Sequence, residues 1–271
     1  RDRQGANAPT RRCRMRVRKI VLDLFCCEGG AAAGYMRAGF EVYGVDLEAR
    51  FAKRYPGVGF HQGDALAVLV TLLAGEAVAF TRRDGATVDL YIDDILFIHA
   101  SPPCQGYTRG NAGKVTAWPK LIPDVRTLLD RTGLPYVIEN VRDAGPEMHR
   151  PVGLCGCMFD LSTIDTDGIR IHLQRLRLFE ANWDLTPPRA CDHSAHEWVA
   201  GAYGGARRDK YEARYIRKGG YVPADKGVVK ALLGVEHDMT WNGLFESIPP
   251  AYTQYIGTQL LAFVDAWEMA A

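Results

Sequence analysis

The sequence predicts an α/β protein built on a mostly parallel sheet covered by helices, and three observations carry that expectation. Apolar runs of strand length recur through the first half of the chain, as in KIVLDLF (19–25), FEVYGVDLE (40–48), ILFIHAS (95–101) and LPYVIENV (134–141). These runs are apolar on both faces, which suits strands buried between two layers of helix. Segments of helical composition stand between them, and strands alternating with helices mark parallel crossover units.

The elements follow in order. After the first run a glycine-containing turn, CCEGG, leads into AAAGYMRAG, which has helical composition. FEVYGVDLE is the second strand and ends in an acid. GVGFHQGDALAVLVTLLAGE (57–76) supplies a short third strand, a turn at Gly63 and a helix. AFTRRDGATVDLYIDD (79–94) fits a hairpin around Asp84 and Gly85 that delivers the chain into ILFIHAS. AWPKLIPDVRTLLDRTG (117–133) spaces its apolar residues as a helix does, ahead of the strand LPYVIENV. Beyond residue 141 the texture turns to Gly, Pro, Cys and His, and IRIHLQRLRLFEA (169–181) is the clearest strand pair there. IPPAYTQYIGTQLLAFVDAWEMA (248–270) is expected as a helix opened by Pro249 or Pro250 in its first turn.

Composition bounds the class. With 271 residues, 47% hydrophobic and 24% charged, the chain can bury a full core and is expected to form one main domain. The net charge of +1 conceals an asymmetry: residues 1–19 carry +7, so the rest of the chain is acidic. That basic arm, 1–18 with Lys19, reads either as a solvated tail or as a contact to nucleic-acid backbone. Seven cysteines, an odd number without a secretory pattern, favour a reducing cytoplasm over a disulfide framework. No apolar run reaches the roughly 18 residues of a membrane span, so no membrane role is expected.

Several residues stand where chemistry needs them. A strand, a tight glycine turn and a helix start place outward-pointing amides where a nucleoside or anion can approach, and the turn here is Phe25 to Gly30. Asp46 ends the next strand and is placed for a ribose hydroxyl pair, while Asp64 follows the third strand; each acid also reads as a simple helix cap. Cys104 follows two prolines after the fourth strand, which should hold its side chain on a loop. A thiolate there, with arginines lowering its pKa, is a competent carbon nucleophile, although cysteine is also among the most buried residue types. Glu139 ends the fifth strand; kept protonated by burial it would donate to a ring nitrogen and accept from an amine, or it is only a cap. Arg175 and Arg177, two apart in a strand, are expected on one face, as a site pair or as a solvated edge.

Taken together these segments resemble the cytosine C5 DNA methyltransferases, in the short phage and actinobacterial form. DLFCCEGGAAAGYMRAGFEVYGVD is similar to the family's first cofactor motif with its acidic partner, and QGDAL to its third. SPPCQG resembles the catalytic Pro-Cys loop, ENV the segment carrying the catalytic glutamate, QRLRLF the arginine motif, and FESIPPAYTQYIG the C-terminal segment that returns over the cofactor. The resemblance spans about residues 19–260 in the family's order.

It implies a Rossmann-like S-adenosylmethionine-dependent methyltransferase fold with a mostly parallel central sheet and a small target-recognition region. It implies that Cys104 attacks C6 of a cytosine rotated out of duplex DNA, that Glu139 engages N3 and the exocyclic amine, and that Arg177 holds O2, with Arg175 beside it and Asn140 supporting the loop. Phe25, Glu28, Gly29, Gly30, Asp46, Leu47, Asp64, Ala65, Pro103, Glu246 and Ser247 would bind S-adenosylmethionine or a derivative of it. Ser101, Pro102 and Gln105 would face the base. The chain departs from the family's pattern at Cys27 and Glu28 in the first motif, at Leu173 before the arginine motif and at Glu246 near its end, which raises the prospect of an altered donor.

The resemblance also orders the domains: 1–18 a basic arm, 19–181 the catalytic and cofactor-binding domain, 182–227 the small recognition region, and 228–271 a segment completing the catalytic domain. Within the recognition region GAYGGARRDKYEARYIRKGG (201–220) sets six Lys or Arg against two acids, interleaved with tyrosines. Arg207, Arg208, Lys210 and Tyr211 suit phosphate contact and base stacking there. A monomer acting on double-stranded DNA in the cytoplasm is the expectation, with any partner nuclease unidentified. The same chemistry on RNA, a larger transferred group, or a DNA-binding relative without catalysis are the alternatives. Cys155, Cys157, Cys191 and His193 suggest a zinc set, but Cys-x-Cys and Cys-x-His are tighter than usual zinc spacings, and reduced, partly buried thiols are the expectation.

Overall fold

A computed structural model describes residues 18–108, 118–200, 202, 215–216 and 220–270. The chain forms β1 (Ile20–Leu24), α1 (Gly30–Arg37), β2 (Glu41–Asp46), β3 (Gly59–Gln62), α2 (Ala65–Leu73), β4 (Val78–Arg82), β5 (Thr87–Leu90), β6 (Ile95–Ala100), α3 (Ile122–Thr132), β7 (Tyr136–Val141), β8 (Val152–Leu154), β9 (Ser162–Ile164), β10 (Arg170–His172) and β11 (Arg177–Ala181). There follow β12 (Tyr215–Ile216), β13 (Gly220–Tyr221), α4 (Lys226–Leu233), α5 (Trp241–Glu246) and α6 (Pro250–Ala270). The hairpin expected around Gly85 is β4 with β5, antiparallel.

The main sheet has the order β5-β4-β3-β2-β1-β6-β7-β11-β8. Its five central strands, β3 to β7 in that order, run parallel, and antiparallel strands cover both edges. Strand order reverses between β1 and β6, so their carboxyl ends open a crevice of the kind that binds nucleosides in open parallel sheets.

Alternation along β1 explains the two helical layers. Ile20, Leu22 and Leu24 pack with Leu69, Leu72, Val125 and Leu129 of α2 and α3. Val21 points the other way, into the cluster that holds Ala32 and Tyr35 of α1 with Tyr252, Ile256 and Leu260 of α6. The two helices of that second layer approach closely because Gly34 has no side chain: a Cβ there would lie 2.1 Å from the carbonyl oxygen of Pro250. The closeness fixes the C-terminal helix against the helix that follows the glycine turn.

Two expectations change. The helix expected over 117–133 begins at Ile122, with Pro123 in its first turn. The run 169–181 does hold two strands, but they do not pair: β10 joins β9 in a separate small sheet, whereas β11 joins the main sheet. Between them Arg175 adopts φ 36°. A left-handed residue breaks the two-residue alternation, so Arg175 and Arg177 do not share a strand face.

A third apolar cluster joins Ile171 and Leu173 to Tyr221, Val229, Leu232, Leu233 and Leu244. The small lobe thus draws on β9, β10, α4 and α5 as well as on the stretch 182–227. No helix among the described residues is long and apolar enough to cross a membrane.

One buried ion pair ties α3 to the sheet. Arg126 Nη2 donates to Glu180 Oε2 at 2.7 Å and to the carbonyl of Glu147 at 2.7 Å, while the His149 amide donates to the same carboxylate. Removing one partner strands the other charge in the interior, so Glu180→Ala is expected to lose about 3 to 5 kcal/mol of stability. Chemical denaturation of the variant against the parent checks this, and a loss below about 1 kcal/mol would contradict it.

Candidate active site

The crevice at the β1–β6 reversal is a cleft of about 440 Å³, within the range of small-molecule sites. Its walls come from the carboxyl ends of β1, β2, β6 and β7 and from the segment around α5. On one side stand the glycine turn, Asp46, Leu47 and Glu246; on the other, Ser101, Pro102, Cys104, Glu139 and Arg177.

The glycine turn holds a shape that few sequences accept. Phe25, Cys27 and Gly29 have φ of 59°, 47° and 81°, and α1 starts at Gly30 directly behind them. Asp46 secures the turn, accepting from the Cys27 amide at 2.9 Å through Oδ2 and from the Glu48 amide at 3.1 Å through Oδ1. Each carboxylate oxygen keeps a lone pair for a further donor. Leu47, beside it, exposes a large apolar side chain along the cleft.

The other candidates near the turn divide into lining and supporting residues. Phe25, Gly30, Ala65 and Ser247 line the cleft. Asp64 is the N-cap of α2, accepting from the Ala67 amide at 2.8 Å, and stays outside the cleft lining. Glu28 does both: it lines the cleft, and its carboxylate is held, Oε2 accepting from the Thr240 amide at 2.6 Å and Oε1 from the Thr240 hydroxyl at 2.8 Å. A Cβ on Gly243 would lie 2.2 Å from that carboxylate, so a glycine is needed there. The acid that departs from the family's pattern therefore pins the start of α5 over the turn. Burial raises the carboxyl of Glu246 above its ordinary value, against the pull of Arg50.

Across the cleft Pro103 ends the extended approach and Cys104–Gly106 makes a single 3-10 turn. Asn140 Nδ2 donates to the Pro102 carbonyl at 2.9 Å, joining the end of β7 to the proline loop. Glu139 is buried and pairs with Arg177, Nε to Oε1 3.1 Å. Burial pushes its carboxyl above the ordinary value, opposed by Arg177 and by a hydrogen bond from Ser101. Cys104 is half-buried, and its thiol is pushed up as well, first by burial and then by Glu139, with Arg177 pulling the other way. The expectation that arginines lower this thiol below its usual range is thus reversed: burial outweighs them.

Arg175 is fully buried. Its guanidinium donates to the carbonyls of Ser247 at 2.9 Å, Ala202 at 2.7 Å and Phe245 at 2.5 Å. Arg175 lies outside the cleft lining and holds the end of α5, where Glu246 and Ser247 stand. Gln105 lines the cleft near Cys104, whereas Arg207, Arg208, Lys210 and Tyr211 lie outside the described residues.

Sequence reasoning passed over a buried relay behind Glu139. Tyr35 Oη lies 2.9 Å from His99 Nδ1, and His99 Nε2 lies 2.8 Å from Ser101 Oγ. Burial lowers His99 to about 3, so the ring is neutral at ordinary pH. The chain Tyr35–His99–Ser101 ends beside Glu139, and Ser101 favours the charged form of that carboxyl. Asp23 was missed too: it lines the cleft, takes a hydrogen bond from Tyr55 at 3.3 Å, and leaves Oδ1 without a partner. A carboxylate inside IVLDL and an imidazole inside ILFIHA were the available signals, since apolar strands seldom hold such groups without a task.

No protein-family model matches this chain, and no curated protein matches it. Solved structures do. An E. coli prophage chain described as a DNA modification methyltransferase superposes with a TM-score of 0.55 at 12% identity, covering 91% of this chain and 99% of that one. The S. pombe Dnmt2 methyltransferase gives a TM-score of 0.49 at 12% identity, with 91% and 99% covered. The first likeness establishes a shared fold: this chain has the Rossmann-like fold of that methyltransferase, with a large, mostly parallel central sheet.

Two outcomes follow from the burial of these groups. Asp23 is pushed up to about 8 by desolvation, so the folded chain keeps a proton that the unfolded chain releases near pH 4. Ionisation then opposes folding as pH rises from about 4 to 8. Asp23→Asn removes that penalty, and its Tm advantage over the parent is expected to grow by at least about 3 °C between pH 5 and pH 8; a gap independent of pH would refute the assignment. The raised thiol predicts that Cys104, followed by peptide mapping, is alkylated more slowly than a free cysteine at pH 7.5. Its rate should still be climbing above pH 9, and a plateau below pH 8 would contradict the prediction.

Proposed function

We propose that this chain transfers a methyl group from S-adenosylmethionine to C5 of cytosine in double-stranded DNA, through a transient bond between Cys104 and C6 of a base rotated out of the duplex. The observation that supports it best is the meeting, in one cleft, of Cys104, Glu139 and Arg177 with a glycine turn and the carboxylate of Asp46. A nucleoside site alone occurs in many enzymes; a thiol facing a buried acid and a guanidinium across it suits conjugate addition to a pyrimidine.

The cleft fits the donor. Asp46 retains two lone pairs for a ribose hydroxyl pair, Leu47 and Phe25 present apolar faces for a purine, and the carboxyls of Asp46 and Glu246 favour a ligand of net positive charge. S-adenosylmethionine, when bound, supplies an electrophilic methyl group. Pro103, between the two halves, shapes their junction.

Protein residues then do the rest. The Cys104 thiol gives its proton to solvent, the thiolate sulfur bonds to C6, and the electron pair of the C5–C6 double bond becomes available at C5 to take the methyl group. Glu139, biased toward its protonated form by burial, hydrogen-bonds N3 and the amine and offsets the charge that builds on the ring. Arg177 holds O2, while Ser101, Pro102 and Gln105 border the base. After methylation solvent takes the C5 proton, its bonding pair restores the C5–C6 double bond, and Cys104 leaves as a thiolate that regains a proton. Asn140 and Arg175 act as positioning residues, the first on the proline loop and the second on the end of α5. Arg207, Arg208, Lys210 and Tyr211, with the basic arm, meet the DNA, and the enzyme works as a cytoplasmic monomer.

Labelled S-adenosylmethionine with plasmid DNA, followed by conversion sequencing, tests the proposal. C5-methylated cytosines are expected with the parent, none with Cys104→Ser, and a loss of about 100-fold or more with Glu139→Gln. A 5-fluorocytosine duplex should trap Cys104 covalently. Label entering RNA alone would move the chemistry to another substrate, and full activity in Cys104→Ser would overturn the mechanism.

A further inference from the structure

We propose that Cys155, Cys157, Cys191 and His193 form a structural zinc site that fastens the segment entering the small lobe to the strand system carrying Arg177. The tight spacing that argued for plain thiols in the sequence is answered by the geometry. The three sulfurs and one ring nitrogen all lie within 4.8 Å of one another. Cys155 Sγ and His193 Nε2 are 3.3 Å apart, Cys191 Sγ and His193 Nε2 3.2 Å, and Cys157 Sγ and Cys191 Sγ 3.3 Å. A zinc tetrahedron with Zn–S near 2.3 Å and Zn–N near 2.0 Å has edges of about 3.5 to 3.8 Å, so small side-chain adjustments would admit the ion.

The backbone explains how ligands one residue apart converge. Cys155 follows β8, and Cys157 lies in the 3-10 turn Gly156–Phe159. Gly156 sits so near the chain that a Cβ on it would lie 2.2 Å from the Leu173 carbonyl oxygen, and its amide donates to the Gln174 carbonyl at 2.6 Å. That turn sends both sulfurs to one side. Cys191 and His193 arrive from the stretch 182–198, which forms no helix or strand. Such a stretch gains most from an external tie. The His193 ring is steadied by stacking on His196, with centroids 5.3 Å apart.

Donor set and alternatives point the same way. Three thiolates and a neutral imidazole around Zn²⁺ leave one negative charge; the Arg189 guanidinium donates to the Cys157 carbonyl at 2.5 Å and pairs with Asp160. A set of three sulfurs and one nitrogen suits zinc over magnesium or calcium, and four protein ligands close the site to substrate. A Cys157–Cys191 disulfide would need the sulfurs near 2.05 Å and would leave Cys155 and His193 unexplained.

Zinc content of the full chain, purified without chelator, decides the matter by elemental analysis and native mass spectrometry. One zinc per chain is expected, retained in Cys104→Ser and lost in Cys191→Ser and in the Cys157→Ser, Cys191→Ser double variant. Cobalt exchanged into the parent should show thiolate charge-transfer bands and intense tetrahedral d–d bands, a readout that does not depend on any variant folding. Clearly substoichiometric zinc in the parent, an octahedral cobalt spectrum, or a Cys157–Cys191 disulfide in the native peptide map would each overturn the assignment. None of these readouts depends on methyl transfer, so the site stands or falls apart from the proposed activity.

Discussion

One row of backbone pairing decides where the chemistry sits. Across the sheet Val45 pairs with Leu24, Leu24 with Ala100, and Ala100 with Ile138. One residue beyond that row stand Asp46, Phe25, Ser101 and Glu139, on four adjacent strands. A slip of one residue in any pair would turn a side chain to the opposite face and break the set. The parallel core, buried by helices on both sides, is what makes such a slip costly.

Burial then sets the electrostatics of the cleft. Glu139, Cys104, Glu246 and Asp23 are all pushed toward their neutral forms, desolvation being the largest cause for each. Specific partners hold this in check: Arg177, Ser101 and Arg175 at Glu139, Arg177 at Cys104, Tyr55 at Asp23, and Arg50 with Arg175 at Glu246. The cleft is rich in acids whose charged forms this setting disfavours. Perturbed groups gathered in one cavity are also what a working site requires.

Much of this was legible in the sequence because the parallel core leaves a plain record: apolar runs, glycine turns, and acids just beyond them. Asp46 ends β2 and Cys104 follows β6, whereas Glu139, expected at a strand end, sits inside β7 and Arg177 opens β11; all four line the cleft. Legibility failed where a single torsion or a distant partner decides. Arg175 left its expected face because of one left-handed residue, and nothing in QRLRLF signals that. Asp64 serves as the cap that its sequence equally allowed. Glu28 lines the cleft, but its tie to Thr240, far along the chain, could not be read from the turn that carries it. Asp23 and His99 hid inside strands whose apolar neighbours masked them.

Arg175 links these parts into one mechanical unit. Its side chain gathers the carbonyls of Ala202, Phe245 and Ser247, and the Tyr252 hydroxyl of α6 returns to the Arg175 carbonyl at 3.0 Å. The residue before it, Gln174, gives its carbonyl to the Gly156 amide and the Cys155 thiol. A buried guanidinium with carbonyls on every side is costly to desolvate and is held only when all are in place. The small lobe, the returning C-terminal helix and the cysteine cluster therefore meet at one strained turn, two residues before Arg177. Two residues of backbone separate that turn from Arg177, so any shift of the small lobe is felt at the cleft, which gives a physical reason for an arginine outside the cleft to be held so firmly.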